Sequence, residues 1–375
     1  MKKFFSAFKS IDWLLLAAVL PLLLAGLSVM NSFTGQSQYY GRQLVWIAIA
    51  LAIFFIFSFL DFRFLRASSV LIALFLAAIG SLILLFFVAG VVHGTKSWFT
   101  IGAFSLQPSD PAKLILILIL AKYFSRRHIE IADVKHIIVS GFYALIIFLL
   151  VLFQPDFGSA LIIFLIWLGL VLVSGISKKH LLLVFLTASA VFLVMWNFLL
   201  ADYQKQRVVT FLNPLADVRG AGYNAYQSTI AVGSGELLGK GVGYGTQSRL
   251  KFLPEYETDF IFAAFAEEWG FVGALILFAL FGAVIWRILA NAWRGATNFE
   301  ILFGLGLAIL FISHFVVHVG MNIGLLPVTG VTLPFLSYGG SHLLTEFAGL
   351  GILMGMRRYR RAVHKESMKN EFLGV

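Results

Sequence analysis

Cysteine is absent from this 375-residue sequence, and charged residues make up only 12% of it. The absence of cysteine excludes disulfide bonds and thiolate metal sites. Such a low charge content, with 60% hydrophobic residues and a mean hydropathy of +0.93, lies far outside the range of soluble domains. We therefore predict a membrane protein that crosses the bilayer several times.

Acidic residues are also scarce, since 18 Asp and Glu stand against 28 Lys and Arg and give a formal net charge of +10. A basic excess can indicate nucleic-acid binding. Here the basic residues form no single patch with interleaved aromatic side chains, so no nucleic-acid partner is expected.

Long apolar runs recur along the chain and predict an all-α fold with about ten transmembrane helices. The candidate spans are 12–31, 43–60, 68–92, 110–124, 137–153, 158–177, 181–200, 260–287, 299–324 and 341–356. Because these runs fill the chain, we predict one transmembrane domain over residues 1–375. The basic start resembles a signal peptide, but further spans follow, so we interpret its apolar run as the first helix.

The distribution of Lys and Arg predicts the orientation in the membrane. Most of the 28 basic residues fall on one side if the N-terminus is cytoplasmic, and the short loops on the other side carry few. The stretch at about 201–258 also carries basic residues, but long loops are exempt from this rule. We therefore predict cytoplasmic N- and C-termini and one large extracytoplasmic loop at about 201–258.

A polar stretch, GTKSWFTIGAFSLQPSDPAK, leads into the fourth span. Ser109 or Asp110 can cap this helix, and Pro111 suits its first turn. From Asp110 to Lys122 the helix rises only about 20 Å against roughly 30 Å of hydrocarbon, so it begins below the outer surface. At that depth Asp110 and Lys113 either line a wet cavity or form an i, i+3 ion pair. The sequence leaves both alternatives open.

The predicted outer loop is rich in glycine, in the segment GSGELLGKGVGYG. Lys240 beside a glycine faintly resembles a phosphate-binding P-loop, but the glycine spacing is wrong and Gly241 stands where Ser or Thr is needed. A flexible linker is the usual interpretation of such glycines. An ordered, ligand-facing loop is favoured here because aromatic and basic residues are numerous. They are Tyr203, Arg207, Tyr223, Tyr226, Arg249 and Phe252.

The last span follows an uncharged stretch rich in proline and glycine, VTGVTLPFLSYGGS. This span has about 16 residues, roughly 24 Å of helix, so it too is expected to start within the protein. His342 and Glu346 are spaced i, i+4 on it. We predict a polar pair rather than a metal site, because no further ligands are near in sequence.

Five carboxyl groups surround the start of one span in the stretch PEYETDFIFAAFAEEWG. If Asp259 heads this helix, Ala263, Ala266 and Gly270 fall on almost the same face. Such a stripe of small residues allows a neighbouring helix or a lipid chain to approach closely. Glu268 points to the opposite face, so the five carboxyl groups do not form one cluster.

Six motifs, in this order along nearly the whole chain, resemble the SEDS family (shape, elongation, division and sporulation). They are WFTIGAFSLQPSDPAK, QPDFGSA, YQKQRV, GKGVGYGTQS, LPEYETDFIFAAFAEEWGF and GLLPVTGVTLPFLSYGGS. The resemblance implies a ten-helix peptidoglycan glycosyltransferase that polymerises lipid II outside the bacterial plasma membrane. Within the family, the GTQS segment and the residues before TDFIF resemble the elongation branch rather than the division branch, which implies a role in rod shape.

The resemblance also implies functional residues. The family's essential carboxylate corresponds to Asp259, and its conserved basic positions correspond to Lys113 and Arg207. The residues expected to bind substrate are the outer-loop tryptophan Trp98, Asp110, Lys113, Arg207, Lys240, Arg249 and Ser337. Two positions depart from the family pattern, because Asp110 stands where many relatives have Glu and His318 where Asn is common. The contacts of these two residues stay open.

The chemistry of glycan elongation agrees with this assignment. The acceptor sugar's 4-hydroxyl must lose a proton while undecaprenyl diphosphate leaves the anomeric carbon of the donor. We predict Asp259 as the general base. Lys and Arg, or a divalent cation such as Mg or Mn, would stabilise the leaving charge, and no other cofactor is expected. Glu255 and Glu257 are expected to be solvated, and Glu267 to pair with an outer-loop cation.

The family resemblance further implies partners, namely a class B penicillin-binding protein, whose transpeptidase domain crosslinks the strands, and other proteins of the elongation complex. Two other function classes stay open. A flippase or transporter of lipid-linked precursors would also need polar groups in a helix bundle. It ranks second, because these groups gather on the outer side without an evident inverted repeat. A non-enzymatic scaffold ranks third, because it leaves the outward-facing charged residues unexplained.

Overall fold

The computed structural model describes residues 11–32, 38–88, 90, 97–101, 104–126, 134–198, 202–212, 221–250, 252–253 and 255–373. These residues form thirteen α-helices. They are α1 Trp13–Ser32, α2 Gln38–Phe59, α3 Ser68–Val88, α4 Ser109–Ser125, α5 Val134–Leu152, α6 Phe157–Val173, α7 Lys178–Phe198, α8 Asp202–Leu212, α9 Ala221–Ser234, α10 Thr246–Arg249, α11 Ile261–Ala292, α12 Asn298–Asn322 and α13 Gly340–Leu373. All but α8, α9 and α10 coincide with the ten predicted spans.

The predicted all-α membrane class is confirmed. Within the described part of the chain, α1, α2, α3, α5, α11 and α12 are each long and apolar enough to cross a membrane. The small exceptions to a helical fold are a 3₁₀ helix, Phe62–Arg66, and an antiparallel hairpin of β1, Phe99–Ile101, and β2, Phe104–Leu106. The number of crossings and the side on which each loop lies stay predictions.

Helix α12 forms the centre of the bundle. In its most apolar stretch of 18 residues, 67% are buried inside the protein. It packs against α4, α6, α9, α11 and α13. Small residues permit this close packing, since a Cβ atom added to Gly306 would lie 2.5 Å from Ile117 of α4. In the same way, Gly351 allows α13 to pack closely on Phe57 of α2.

The predicted outer loop is ordered where the structure describes it. Its described residues include α8, α9 and α10. The helices in these segments agree with an ordered loop, and whether the loop faces a ligand stays a prediction. The side chain of Tyr203 and residues 213–220 lie outside the description.

Charged side chains join helix ends at one end of the bundle, which the predicted orientation makes the cytoplasmic end. This inner charge layer consists of Asp12, Arg66, Arg287, Glu300 and Arg357. Asp12 accepts hydrogen bonds from Arg287 and lies 3.3 Å from Arg357, while Arg66 pairs with Glu300. Burial works to raise the pKa of Asp12, but hydrogen bonds from Arg287 and from a neighbouring asparagine outweigh it and hold the pKa below its ordinary value.

Candidate active site at the outer ends of the helices

Asp259 lies in a turn just before α11, which begins at Ile261. The prediction that Asp259 heads this helix is therefore correct to within two residues. Its N–H donates to the carbonyl of Glu255 at 3.0 Å, and its own carbonyl accepts from Asn322 Nδ2 at 3.0 Å. Asp259 is half-buried, and hydrogen bonds fix both its backbone N–H and its backbone carbonyl.

Asn322 is a functional candidate that the sequence reasoning missed. It is fully buried at the end of α12, and its Nδ2 also donates to the carbonyl of His318 at 2.8 Å. Its Oδ1 accepts from the N–H of Ala263 at 3.2 Å and so satisfies a free donor in the first turn of α11. Ser228 of α9 donates to the Asn322 carbonyl at 2.9 Å. Asn322 thus joins the turn of Asp259 to α12 and α9.

The connector, which we define as residues 323–339 between α12 and α13, passes directly beside the Asp259 carboxylate. Gly330 has a φ of 72°, and a Cβ atom there would lie 3.5 Å from Asp259 Oδ2. Ser337 donates from Oγ to the carbonyl of Thr258 at 2.8 Å and accepts from the N–H of Leu333 at 2.8 Å. The predicted substrate ligand Ser337 therefore holds the connector to the turn of Asp259, and its contact with substrate stays a prediction.

Arg207 reaches the same part of the connector from α8. Its Nη1 lies 3.4 Å from the carbonyl of Val328, two residues before Gly330. Beside it lies a cleft of about 210 Å³, whose lining includes Arg207, Asn224, Thr229 and Val328. An exposed cation and a carboxylate thus approach one short stretch of backbone, and the predicted roles of Arg207 and Asp259 stay predictions.

A buried polar network lies on α4 and α13. Lys113 pairs with Asp110 at 3.1 Å, and each side chain is at most 4% exposed. Asp110 also accepts from Ser341 Oγ at 2.6 Å and lies 3.5 Å from His342 Nδ1. His342 Nε2 lies 2.9 Å from Glu346. Of the two alternatives left open for Asp110 and Lys113, the structure shows the ion pair. The predicted His342–Glu346 pair is confirmed, and Ser341 was not foreseen.

The predicted cap of α4 is wrong. Neither Ser109 nor Asp110 caps the helix, because the N-cap residue is Pro108 and it makes no side-chain hydrogen bond. The oxygens of Asp110 are instead taken by the network. A carboxylate engaged by Lys113 and Ser341 is not available to its own helix N-terminus.

The network reaches the connector through two histidines of α12. His314 Nδ1 lies 3.1 Å from the carbonyl of Thr332, and His318 Nδ1 lies 2.6 Å from that of Val331. A carbonyl can only accept, so both Nδ1 atoms carry the proton. The His314 ring packs on that of His342, with centroids 4.6 Å apart. The open question about His318 is thus answered by a backbone contact with the connector.

Three other predicted substrate ligands lie away from this point. Lys240 pairs with the fully buried Glu267 at 2.8 Å, which confirms the prediction that Glu267 has an outer-loop cation as partner. Arg249 is exposed at the end of α10, and Trp98 is half-buried just before β1. The structure thus gathers Asp259, Arg207 and Ser337 about the connector and joins Asp110 and Lys113 to it through histidines. Substrate binding by Lys240, Arg249 and Trp98 stays a prediction.

The described residues do not make a metal-binding cage. Across the described ranges, no group of three or more His, Asp or Glu side chains is arranged to hold a metal ion. The Asp110 network contains acidic and imidazole groups, but Lys113 is the cation that pairs with Asp110. The use of a divalent cation stays a prediction.

Comparison with known proteins gives the family. A family profile described as cell cycle protein, FtsW, RodA and SpoVE, matches residues 7–362. This chain belongs to that family. The resemblance to the SEDS proteins, inferred from the six motifs, is confirmed.

The family's named relatives are similar over most of the chain. Peptidoglycan glycosyltransferase MrdB of Escherichia coli K12 is 41% identical over 278 residues, covering 73% of this chain and 74% of that protein. Stage V sporulation protein E of Bacillus subtilis is 34% identical over 363 residues, covering 93% and 98%.

Solved structures share the fold. A chain of a peptidoglycan synthase complex that coordinates polymerization and crosslinking aligns with a TM-score of 0.79 and 32% identity, covering 93% of this chain and 98% of that one. The rod shape determining protein RodA of Thermus thermophilus aligns with a TM-score of 0.70 and 31% identity, covering 93% and 97%.

Proposed function

We propose that this chain polymerises lipid II into glycan strands on the outer face of the bacterial plasma membrane, for cell elongation. It is a peptidoglycan glycosyltransferase and a multi-pass protein of the inner membrane, in keeping with its relatives and its apolar helices.

The observation that carries the proposal is the meeting of Asp259 and Arg207 at the connector. The carboxylate lies beside Gly330, and Arg207 reaches the carbonyl of Val328 next to an open cleft. A half-buried carboxylate with its backbone fixed is suited to accept a proton from a bound hydroxyl. A cation nearby is suited to stabilise a departing diphosphate.

In the proposed reaction, Asp259 accepts the proton of the acceptor sugar's 4-hydroxyl. The freed oxygen forms a bond to the anomeric carbon of the donor as the bond from that carbon to the phosphate oxygen breaks. Undecaprenyl diphosphate leaves with the bonding electron pair, and Arg207 pairs with its charge. Asp259 then returns its proton to solvent. The carboxylate is regenerated, and the strand is one disaccharide longer.

The first test is Asp259→Asn in purified protein given lipid II, with glycan products separated by length. The amide keeps the side-chain shape but cannot accept the proton, so polymerisation should fall by about 100-fold or more. Glu255→Gln is the matched control, because it changes an exposed carboxyl group in the same turn. A folded Asp259→Asn variant that made long strands at the wild-type rate would remove the general-base role.

The same preparation separates the polymerase from the flippase alternative. A flippase would move lipid II across a proteoliposome bilayer without making glycan, and Asp259→Asn would leave that movement unchanged. Glycan made by the wild type alone, with no transport, supports the polymerase.

We also propose a class B penicillin-binding protein as partner, which accords with the similarity to a synthase complex that coordinates polymerization and crosslinking. By binding the outer surface, the partner would favour the conformation in which Asp259 and Arg207 meet around substrate. Polymerisation should then rise when the partner is added, even with its transpeptidase nucleophile mutated. Equal rates for the chain alone and for the complex, across a range of lipid II concentrations, would show that the partner does not activate it.

A further inference from the structure

Helix α11 is broken at Gly270, where φ is 66° and ψ is −166°. The sequence prediction of an uninterrupted helix is wrong at this point. In an unbroken helix the N–H groups of Phe271 and Val272 would donate to the carbonyls of Glu267 and Glu268. The break separates these four backbone groups, which lie in a helix apolar enough to span the membrane. Within a bilayer such groups must find partners in the protein.

The glycine-rich segment 235–241 supplies all four partners. The two freed carbonyls accept from the N–H groups of Lys240 and Gly241, each at 3.0 Å. The two freed N–H groups donate to the carbonyls of Glu236 and Leu237 at 2.9 and 3.1 Å. We call this pairing the glycine seam. It fills the hydrogen bonds of the break as a neighbouring strand would. A segment of the predicted outer loop is thereby paired with the backbone of a membrane helix.

Glycine is required on both sides of the seam. Added Cβ atoms on Gly235, Gly239 and Gly270 would lie 2.0, 2.1 and 2.2 Å from backbone atoms of the opposite side. Gly239 and Gly270 also have positive φ angles, which a residue with a side chain rarely adopts. The glycines that suggested a linker in the sequence therefore permit a close backbone contact.

The position of the break along α11 places the seam at membrane depth. Arg287 belongs to the inner charge layer, and the 17 residues from Gly270 to Arg287 span about 26 Å of helix. The hydrocarbon core is roughly 30 Å thick, so Gly270 lies near the outer edge of the outer leaflet. Trp269 is 41% exposed beside it, as is typical of a tryptophan at the membrane interface.

The seam continues the lipid-facing surface of α11 with exposed apolar side chains. On the helix, Phe271 is 56% and Ile276 is 57% exposed. On the paired segment, Leu237 is 68% and Leu238 is 80% exposed. The seam hydrogen bonds place these leucines next to the helix surface that faces lipid. Two neighbouring leucines so exposed at this depth indicate an apolar surrounding rather than water.

We propose that Leu237 and Leu238 insert into the acyl chains of the outer leaflet, so that the segment predicted to lie outside the membrane anchors the break of α11 in it. The occupant of this surface is lipid. The anchor fixes the break from which the buried first part of α11, Ile261–Glu268, leads to Asp259. This inference concerns placement alone, so it holds or fails independently of the proposed chemistry.

The absence of cysteine permits a direct test with single-cysteine variants of the full chain in proteoliposomes. Leu238→Cys is labelled with an environment-sensitive fluorophore and exposed to lipids with a nitroxide on the acyl chain, or to aqueous iodide. Ile276→Cys is the lipid-facing control on α11. Tyr226→Cys, which is 46% exposed in the cleft beside Arg207, is the water-facing control.

Leu238→Cys is expected to follow Ile276→Cys, with strong nitroxide quenching and iodide quenching at least several-fold weaker than at Tyr226→Cys. Quenching by iodide to the extent seen at Tyr226→Cys would overturn the proposal. A second measurement adds the partner protein. If nitroxide quenching is then lost at Leu238→Cys but kept at Ile276→Cys, the occupant is the partner, and the lipid assignment is wrong. A probe that stays quenched by lipid in the complex supports it.

Discussion

The inner charge layer and the buried network around Asp110 use the same ion-pair chemistry in different surroundings. At the inner end the arginines remain in partial contact with solvent, with Arg66 36% and Arg287 21% exposed in their side chains. In the network, Lys113 and Asp110 are at most 4% exposed. The inner pairs therefore join helix ends where charge is tolerated, whereas the network holds charge where it is costly.

The comparison favours a functional role for the network around Asp110 and not for the inner charge layer. A buried ion pair is weak evidence for stability, because the cost of removing both charges from water can exceed their attraction. The network also reaches the connector through His314 and His318, which contact the carbonyls of Thr332 and Val331. The inner layer joins helix ends at the far end of the bundle. We infer that the network supports the site and that the inner layer supports the fold.

The largest effect in this comparison is expected for Lys113→Ala. It leaves Asp110 charged and buried without its cation, which should cost about 3–5 kcal/mol of unfolding free energy. Polymerisation should also be lost. The measurements are thermal unfolding in detergent and glycan synthesis from lipid II.

A double variant separates the two consequences. Asp110→Asn with Lys113→Met removes both charges and should restore most of the lost stability, but not polymerisation if Lys113 serves the substrate. If activity returned together with stability, the pair would be structural and Lys113 would leave the set of predicted substrate ligands.

A smaller effect is expected for Arg207→Ala. Arg207 is exposed on α8, so the unfolding free energy should barely change. Loss of a cation from a partly enclosed site should raise the KM for lipid II by about tenfold or more, in keeping with a charge-assisted contact worth about 1.5–3 kcal/mol. Lys205→Ala, on the same helix, is the matched control. Equal kinetics in the two variants would mean that Arg207 only fixes the connector.

The sequence predicted the local part of this site and missed the part made by distant contacts. The i, i+4 spacing was enough to predict the His342–Glu346 pair, and the i, i+3 spacing offered the Asp110–Lys113 pair as one of two alternatives, because helical periodicity makes these residues neighbours. Asn322 lies 63 residues from the Asp259 carbonyl that it binds, and no periodicity connects them. The break at Gly270 was hidden for the same reason, since its partners lie in a loop whose glycines equally suit a linker.

The connector shows the same limit. Its proline and glycine content predicted an irregular, buried start to the last span, and the structure agrees. Composition carries no information about which neighbours such a segment touches. The approach of Gly330 to Asp259 and the contact of Val331 with His318 depend on how several helices pack around the connector.

The smallest effect on activity is expected for Asp12→Asn in the inner charge layer. The variant removes the carboxylate that Arg287 and Arg357 share, but both arginines keep some contact with solvent, so the expected loss is about 1–2 kcal/mol of unfolding free energy. Because the pKa of Asp12 is held below its ordinary value, the advantage of the wild type is complete at neutral pH and is lost only as the pH falls below about 4. Thermal unfolding at several pH values measures this difference. Polymerisation per folded molecule should equal that of the wild type, since the layer lies at the end of the bundle far from Asp259. A folded Asp12→Asn protein with much lower turnover would mean that the inner layer is coupled to Asp259, and the division between the two regions would not hold.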